Sequence, residues 1–448
     1  MELPPVLKML TVEMLSGKHL RDRVRKLLND RGFLKEISTQ AEYSMNGNGS
    51  LMDQEGLRSD GLNIYPTAAL NPLARFGKCN QHDCRITHAE SFARSIGLYC
   101  DNATLTDFVT EQFVGAEVGK INPRDISADL QAITVLMPMI KAGIIRFSSP
   151  IASSFCGTCA KKATGDISEK IWKLVLKDGT AEFLPDDGGR YSVMISSKLF
   201  MVDGGPLTSE FEIDAKERGA VPQLFRAFKI KTLPPKTLKL VKKKTTDKLA
   251  LRALLVSEEA KSAADKSVVL VTNSREDATI LKSVNNGAPL RSFDDWEKLR
   301  SVRLPWVSNL SVQEIIRLRE KAGSALPKFR DRMNRELFAT SPEIDQEKQS
   351  LEVAKRLREE ANELDAELIV AARKTGHTGH ILLGAAGLSC VIYGLHSGNP
   401  TAINVGGPLL AALATMYHPS KNARSEHEFL KTKPAYVLLT AREIISGR

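Results

Sequence analysis

Residues 375–420 constrain this chain more than any other stretch: 46 positions pass without a single Asp, Glu, Lys or Arg. Elsewhere the chain is charged, 26% of its 448 residues being Asp, Glu, Lys or Arg. The stretch holds two apolar segments, 381–395 (ILLGAAGLSCVIYGL) and 402–417 (AINVGGPLLAALATMY), joined by His-Ser-Gly-Asn-Pro-Thr. So large an apolar surface must be covered by lipid or by protein. A helix of 15 residues is ~22 Å long, and spanning a hydrocarbon core takes about 20 apolar residues. Each segment alone is therefore short for a span. Gly384, Gly387 and Gly394 leave a smooth face beside Leu388, and Leu409 and Leu413 follow Pro408 in the second segment. Such small-residue faces suit close helix packing in lipid, and equally a tight helical hairpin inside a core. Four His residues, His377, His380, His396 and His418, flank the segments. The sequence thus leaves two readings open: a hairpin over 381–417 that docks on or enters a membrane, or a buried helical pair.

What precedes the hairpin predicts an α+β chain in several parts. Residues 1–62 read as a helical arm and a flexible linker, with Leu7, Leu10, Val24 and Leu28 at helical spacing and a Gly/Ser/Asn-rich run over 44–62. Residues 63–225 read as a mixed α/β domain. It has helical spacing over 92–98, 106–114 and 126–140, a short strand over 144–147, and mostly β structure over 171–213 with a turn at 185–189. Residues 249–303 read as a small α/β unit, helix–strand–helix, and the step Thr272-Asn273-Ser274 after its strand is where an α/β fold takes a ligand. Residues 304–448 read as helical and contain the hairpin.

Two sets of side chains carry chemistry. Cys79, His82, Cys84 and His88 crowd one short run, and Cys156-Gly-Thr-Cys159 supplies a Cys-x-x-Cys knuckle later. Cys79, Cys84, Cys156 and Cys159, with His82 or His88 as substitutes, form a plausible tetrahedral set for a structural Zn²⁺. The other reading is reduced, partly buried thiols. The second set is residues 226–248, where nine Lys or Arg stand against one Asp and Pro234-Pro235 interrupts them. Either this is an exposed basic connector, or Lys242, Lys243 and Lys244 are the footprint of a nucleic acid's phosphates. The net charge of +10 agrees with the second reading without requiring it. No paired-carboxylate or Ser/His motif points to catalysis, so a metal-dependent enzyme ranks below both binding readings.

In the C-terminal region, Ser311 and Glu314 are spaced as a capping box, flanked by Leu310 and Ile315 as its hydrophobic staple. Ser341-Pro342 opens a further helix in which Ala354, Leu357, Ala361, Leu364, Leu368 and Ala371 form a seam, over 342–373, fit for another protein, a second copy or the chain itself. The passage LPWVSNLSVQEIIRLREKAGSALPKFRDRM (304–333) resembles the start of helical C-terminal regions in uncharacterised bacterial proteins, some encoded beside mobile-element or phage-defence genes. That resemblance implies no catalytic residues and a bacterial, defensive role; the uncharged segments after a charged helix predict a non-enzymatic interaction or effector protein. The acidic start, without a basic run before an apolar core, predicts no signal peptide and a cytoplasmic location, with membrane association through the hairpin.

Overall fold

The computed structural model describes residues 3–14, 19–45, 62–74, 81–148, 157–185, 191–202, 205–213, 226–272, 274–284, 290–291, 309–338, 346–375 and 421–447. The chain divides into two units, Met1–Glu297 and Lys298–Arg448.

In the first unit the described elements run α1 (Pro5–Met14), α2 (Leu20–Leu28), α3 (Arg31–Met45), β1 (Asn63–Pro66), α4 (His82–Tyr99), β2 (Asn102–Thr106), α5 (Pro123–Lys141), β3 (Ile145–Ser148) and α6 (Gly157–Asp178). They continue as β4 (Thr180–Pro185), β5 (Tyr191–Val202), β6 (Gly205–Ile213), β7 (Ala227–Lys229), α7 (Pro235–Asp265), β8 (Val269–Val271), α8 (Arg275–Val284) and β9 (Leu290–Arg291). β1, β2, β3, β8 and β9 make a parallel sheet in the order β3-β2-β1-β8-β9. The order reverses between β1 and β8, the doubly wound pattern. All five residues of β2 are buried, as parallel strands covered on both faces must be.

Between α6 and α7 the chain adds an antiparallel sheet of order β6-β5-β4-β7. In β5, Tyr191, Val193 and Ile195 are buried while the residues between them are half-exposed, so one face packs and the other meets water. That buried face shares a core with both helices and with the parallel sheet, through Trp172, Val175, Phe183, Val241, Leu249 and Leu270.

Several expectations are corrected. α1–α3 are no free arm: Leu7, Leu10, Val24 and Leu28 are buried, and α2 packs on α5. The helix expected over 106–114 is the end of β2 and a 3-10 turn (Thr110–Phe113). Asp107 starts that turn by accepting from the backbone N–H groups of Val109 and Thr110 and from the Thr110 hydroxyl, and Gly115, at φ 62°, follows its end. Residues 171–178 are the end of α6 and not β structure. The basic connector is folded as β7, a 3-10 turn (Ile230–Thr232) and the first half of α7. Pro234-Pro235 starts that helix and does not break it, because Pro at the first helical position loses no hydrogen bond. The 249–303 segment forms no unit of its own, since β8 pairs with β1. The run 46–61 and the turn 186–190 lie outside the described residues.

The second unit contains α9 (Val312–Lys321), α10 (Leu326–Phe338), α11 (Gln346–Thr375), α12 (Lys421–Leu430) and α13 (Tyr436–Ile445). The capping box forms as read: the Glu314 N–H donates to Ser311 Oγ at 3.3 Å and the Ser311 N–H to Glu314 Oε2 at 2.7 Å. Leu357, Ala361, Leu364 and Ala371 of the seam are buried. α10, α12 and α13 of the same chain pack on α11. Ion pairs Arg332–Glu360, Arg442–Asp365 and Lys433–Glu367 fasten them. The apolar hairpin, with Gly384, Gly387, Leu388, Gly394, Leu409 and Leu413, lies outside the described residues, as does Ser341-Pro342. Among the described residues no helix is long and apolar enough to cross a membrane.

Candidate functional site

The carboxyl edge of the parallel sheet is the first place to look, because open α/β sheets take ligands where the strand order reverses. There β1 runs into Thr67 and β8 into Thr272, whose hydroxyl oxygens lie 3.0 Å apart. Both hydroxyls donate to Asp277 Oδ2, at 2.9 and 3.1 Å. Arg252 of α7 closes the group, with Nε donating to Asp277 Oδ1 at 2.7 Å and Nη2 to Oδ2 at 2.5 Å. Glu259 accepts from the Ala68 N–H at 2.8 Å. The neighbouring Glu276 carboxyl is pushed up to about 7 by burial; Arg252 opposes the shift and Asp277 adds to it. Asp277 and Thr272 are both wholly buried. The ligand expected at Thr272-Asn273-Ser274 therefore meets a crevice filled by the chain's own Arg252. Thr272 Oγ1 accepts from the Ser274 N–H and Ser274 Oγ from the Asp277 N–H, which ties the start of α8 to β8. Asn273 lies outside the described residues. This cluster locks the central strands together; it does not present reactive groups.

The metal-capable side chains are only partly described. His82 and Cys84 sit in the first turn of α4 and His88 one turn on; Cys84 is exposed, and His82 Nδ1 lies 3.2 Å from Asp83 Oδ1. Cys79, Cys156 and the Cys159 side chain lie outside the described residues. Among the described residues no group of three or more His, Cys, Asp or Glu side chains is placed to hold a metal ion. α4 follows β1 and α6 follows β3, so both helices start at the carboxyl edge of the sheet, with β2 between the two strands. Element analysis tests the four-thiol set directly: a stoichiometric metal, lost in Cys84→Ser, is what that set requires.

The basic run makes an exposed surface. α6 and α7 pack antiparallel, pinned by Lys242–Glu169 at 2.9 Å and by Thr164 Oγ1 donating to the Ala250 carbonyl at 3.1 Å. Moving forward along α6 from Glu169 means moving back along α7 from Lys242. Lys170, Lys173 and Lys177 thereby come level with Lys243, Lys239 and Lys236. All six are exposed. Gly179 fixes the end of α6 against the basic run, its carbonyl accepting from the Ile230 N–H at 3.0 Å. A Cβ there would crowd the Val175 carbonyl and approach Ile230 Cδ1 to 2.8 Å, so the close approach requires glycine. Lys229 and Lys231 are exposed beside it. Two nearby acids are engaged: Asp178 accepts from Ser197 Oγ and from the Lys198 N–H, and Glu169 pairs with Lys242.

Of the three lysines singled out from the sequence, Lys243 is exposed, whereas Lys242 and Lys244 are half-buried. The α6 lysines were missed, although their i, i+3, i+7 spacing matches that of Lys236, Lys239 and Lys243 and was legible as one helical stripe. Comparison of the chain with protein-family models, with curated proteins and with solved structures gives no match.

Proposed function

We propose that this chain is a non-enzymatic nucleic-acid-binding protein that holds phosphates on the lysine surface of α6 and α7. The observation that carries the proposal is the level pairing of Lys170, Lys173 and Lys177 with Lys243, Lys239 and Lys236, drawn from two segments far apart in sequence. Like charges three and four residues apart on a helix repel, and a second row beside the first adds to that cost. A bound polyanion relieves the repulsion and releases its counterions. The test is fluorescence anisotropy at low salt with labelled nucleic acids of unrelated sequence. Wild type is expected to bind all of them, and Lys239→Glu/Lys243→Glu to weaken each by a similar factor, about tenfold or more. Absence of wild-type binding at low salt sinks the proposal.

A second reading rests on the C-terminal unit. α11 and α12 pack together, with Lys433 2.5 Å from Glu367, so the uncharged residues 376–420 connect two helices that lie side by side. Helices held side by side at the two ends of this segment are what a membrane-docking hairpin of a bacterial defence effector requires. Liposome flotation of wild type against Leu388→Asp tests it; wild type that stays with the soluble fraction removes it.

A further inference from the structure

We propose that the nucleic acid taken by the lysine surface is a duplex, gripped by its two phosphate rows and not read by its bases. The inference rests on the nucleic-acid reading above and goes further by naming the form.

The lysines of each helix fall on one stripe. At ~1.5 Å per residue, a series i, i+3, i+7 runs about 10 Å along the axis. Phosphates of one strand recur every ~3.4 Å along a duplex, so a stripe of that length matches about three of them. Packed helices lie about 8–10 Å apart. The two stripes run level on neighbouring helices, each about as long as three phosphate steps of one strand. Two level rows of cations match two rows of phosphates. A single strand brings one row and leaves half the lysines without phosphates.

Among the described residues the surface also lacks what a single strand needs. Binding without duplex structure draws on aromatic faces for base stacking. Trp172 of α6 is 3% exposed, and Phe228 of β7 is half-buried with the Arg226 guanidinium 5.3 Å above its ring. α7 contains no aromatic residue, and neither α6 nor α7 contains Asn or Gln, the side chains that read adenine by paired hydrogen bonds. What the two helices offer to solvent along these stripes is lysine, which neutralises phosphates whatever the sequence.

The experiment compares a short duplex with each of its separated strands at low salt. The proteins are wild type, the α6-row variant Lys170→Glu/Lys173→Glu, the α7-row variant Lys239→Glu/Lys243→Glu, and Lys35→Glu on α3 as a control. All the substituted side chains are exposed, and circular dichroism melting checks that each variant folds as wild type does. Wild type is expected to bind duplex about tenfold or more tighter than either strand. Each row variant is expected to bring duplex affinity down towards the single-strand level, with the control unchanged. Strands bound as tightly as duplex overturn the duplex proposal while the nucleic-acid reading survives; a row variant that leaves duplex affinity untouched removes the lysine surface as the site and overturns both. Binding of neither form by wild type overturns both.

Discussion

Arg252 and Asp277 hold two opposite charges at 1% and 0% exposure, at the point where β1 and β8 meet. Removing one partner leaves the other charged and buried, which costs about 3–5 kcal/mol. Asp277→Asn is therefore expected to lower the denaturant midpoint of the first unit sharply, and an unchanged midpoint would show that the pair stabilises nothing. Glu276 beside it titrates in the neutral range, because burial lifts its carboxyl from 4.5 to about 7. The folded chain then holds this proton more tightly than the unfolded chain does. The stability contributed by the group is complete below about pH 4.5 and is lost as pH rises through about 7, on the order of 3 kcal/mol in all. Glu276→Gln carries no titrating proton, so it should flatten that part of the profile and be more stable than wild type at about pH 8. Equal slopes in both proteins between about pH 5 and 8 would falsify the assignment. The sequence pointed at this place through Thr272 and Ser274. It gave no sign that Arg252 would fill the crevice, since Arg252 reaches Asp277 only through the packing of α7 on α8.

At the scale of elements, the chain was legible where local rules act alone. The capping box at Ser311 and Glu314 forms because both partners lie within one turn, and burial along 126–140 follows the helical period. Ser311→Ala should cost about 1 kcal/mol and be felt only in the second unit. Legibility failed where the end of a strand and a 3-10 turn shared one apolar run, as at 106–114, and where a proline pair read as interrupting a basic connector opened a helix. The pairing of α6 with α7 was also hidden, because the lysine stripes are far apart in sequence and each looks like an ordinary solvated face. Gly179 holds that pairing in place. Gly179→Ala drives a methyl towards the Val175 carbonyl and Ile230, and strain of this kind costs about 1–3 kcal/mol. It should weaken nucleic-acid binding without altering any charge. Wild-type affinity in a folded Gly179→Ala would show that the α6–α7 contact does not shape the surface.

On the scale of the whole molecule, two units with separate cores imply two responses to damage. Leu364 is 2% exposed under α12 and α13, and its truncation to Ala should cost about 2–5 kcal/mol. Calorimetry should then show one transition moved and the transition of Met1–Glu297 in place; a single shifted transition would mean that the units unfold as one. The doubly wound sheet itself was not readable as such. Its strands are three to five residues long apart from the two-residue β9, and its central partners β1 and β8 are separated by the antiparallel insertion and α7. The central claim is that six lysines on two packed helices neutralise phosphates, and the salt dependence of duplex affinity measures this most directly. Six neutralised phosphates give a slope of log K against log salt near about −5, and reversing Lys170, Lys173, Lys239 and Lys243 should remove about 0.9 of slope for each lost contact. A wild-type slope near zero, or the same slope in the four-lysine variant, would contradict the claim.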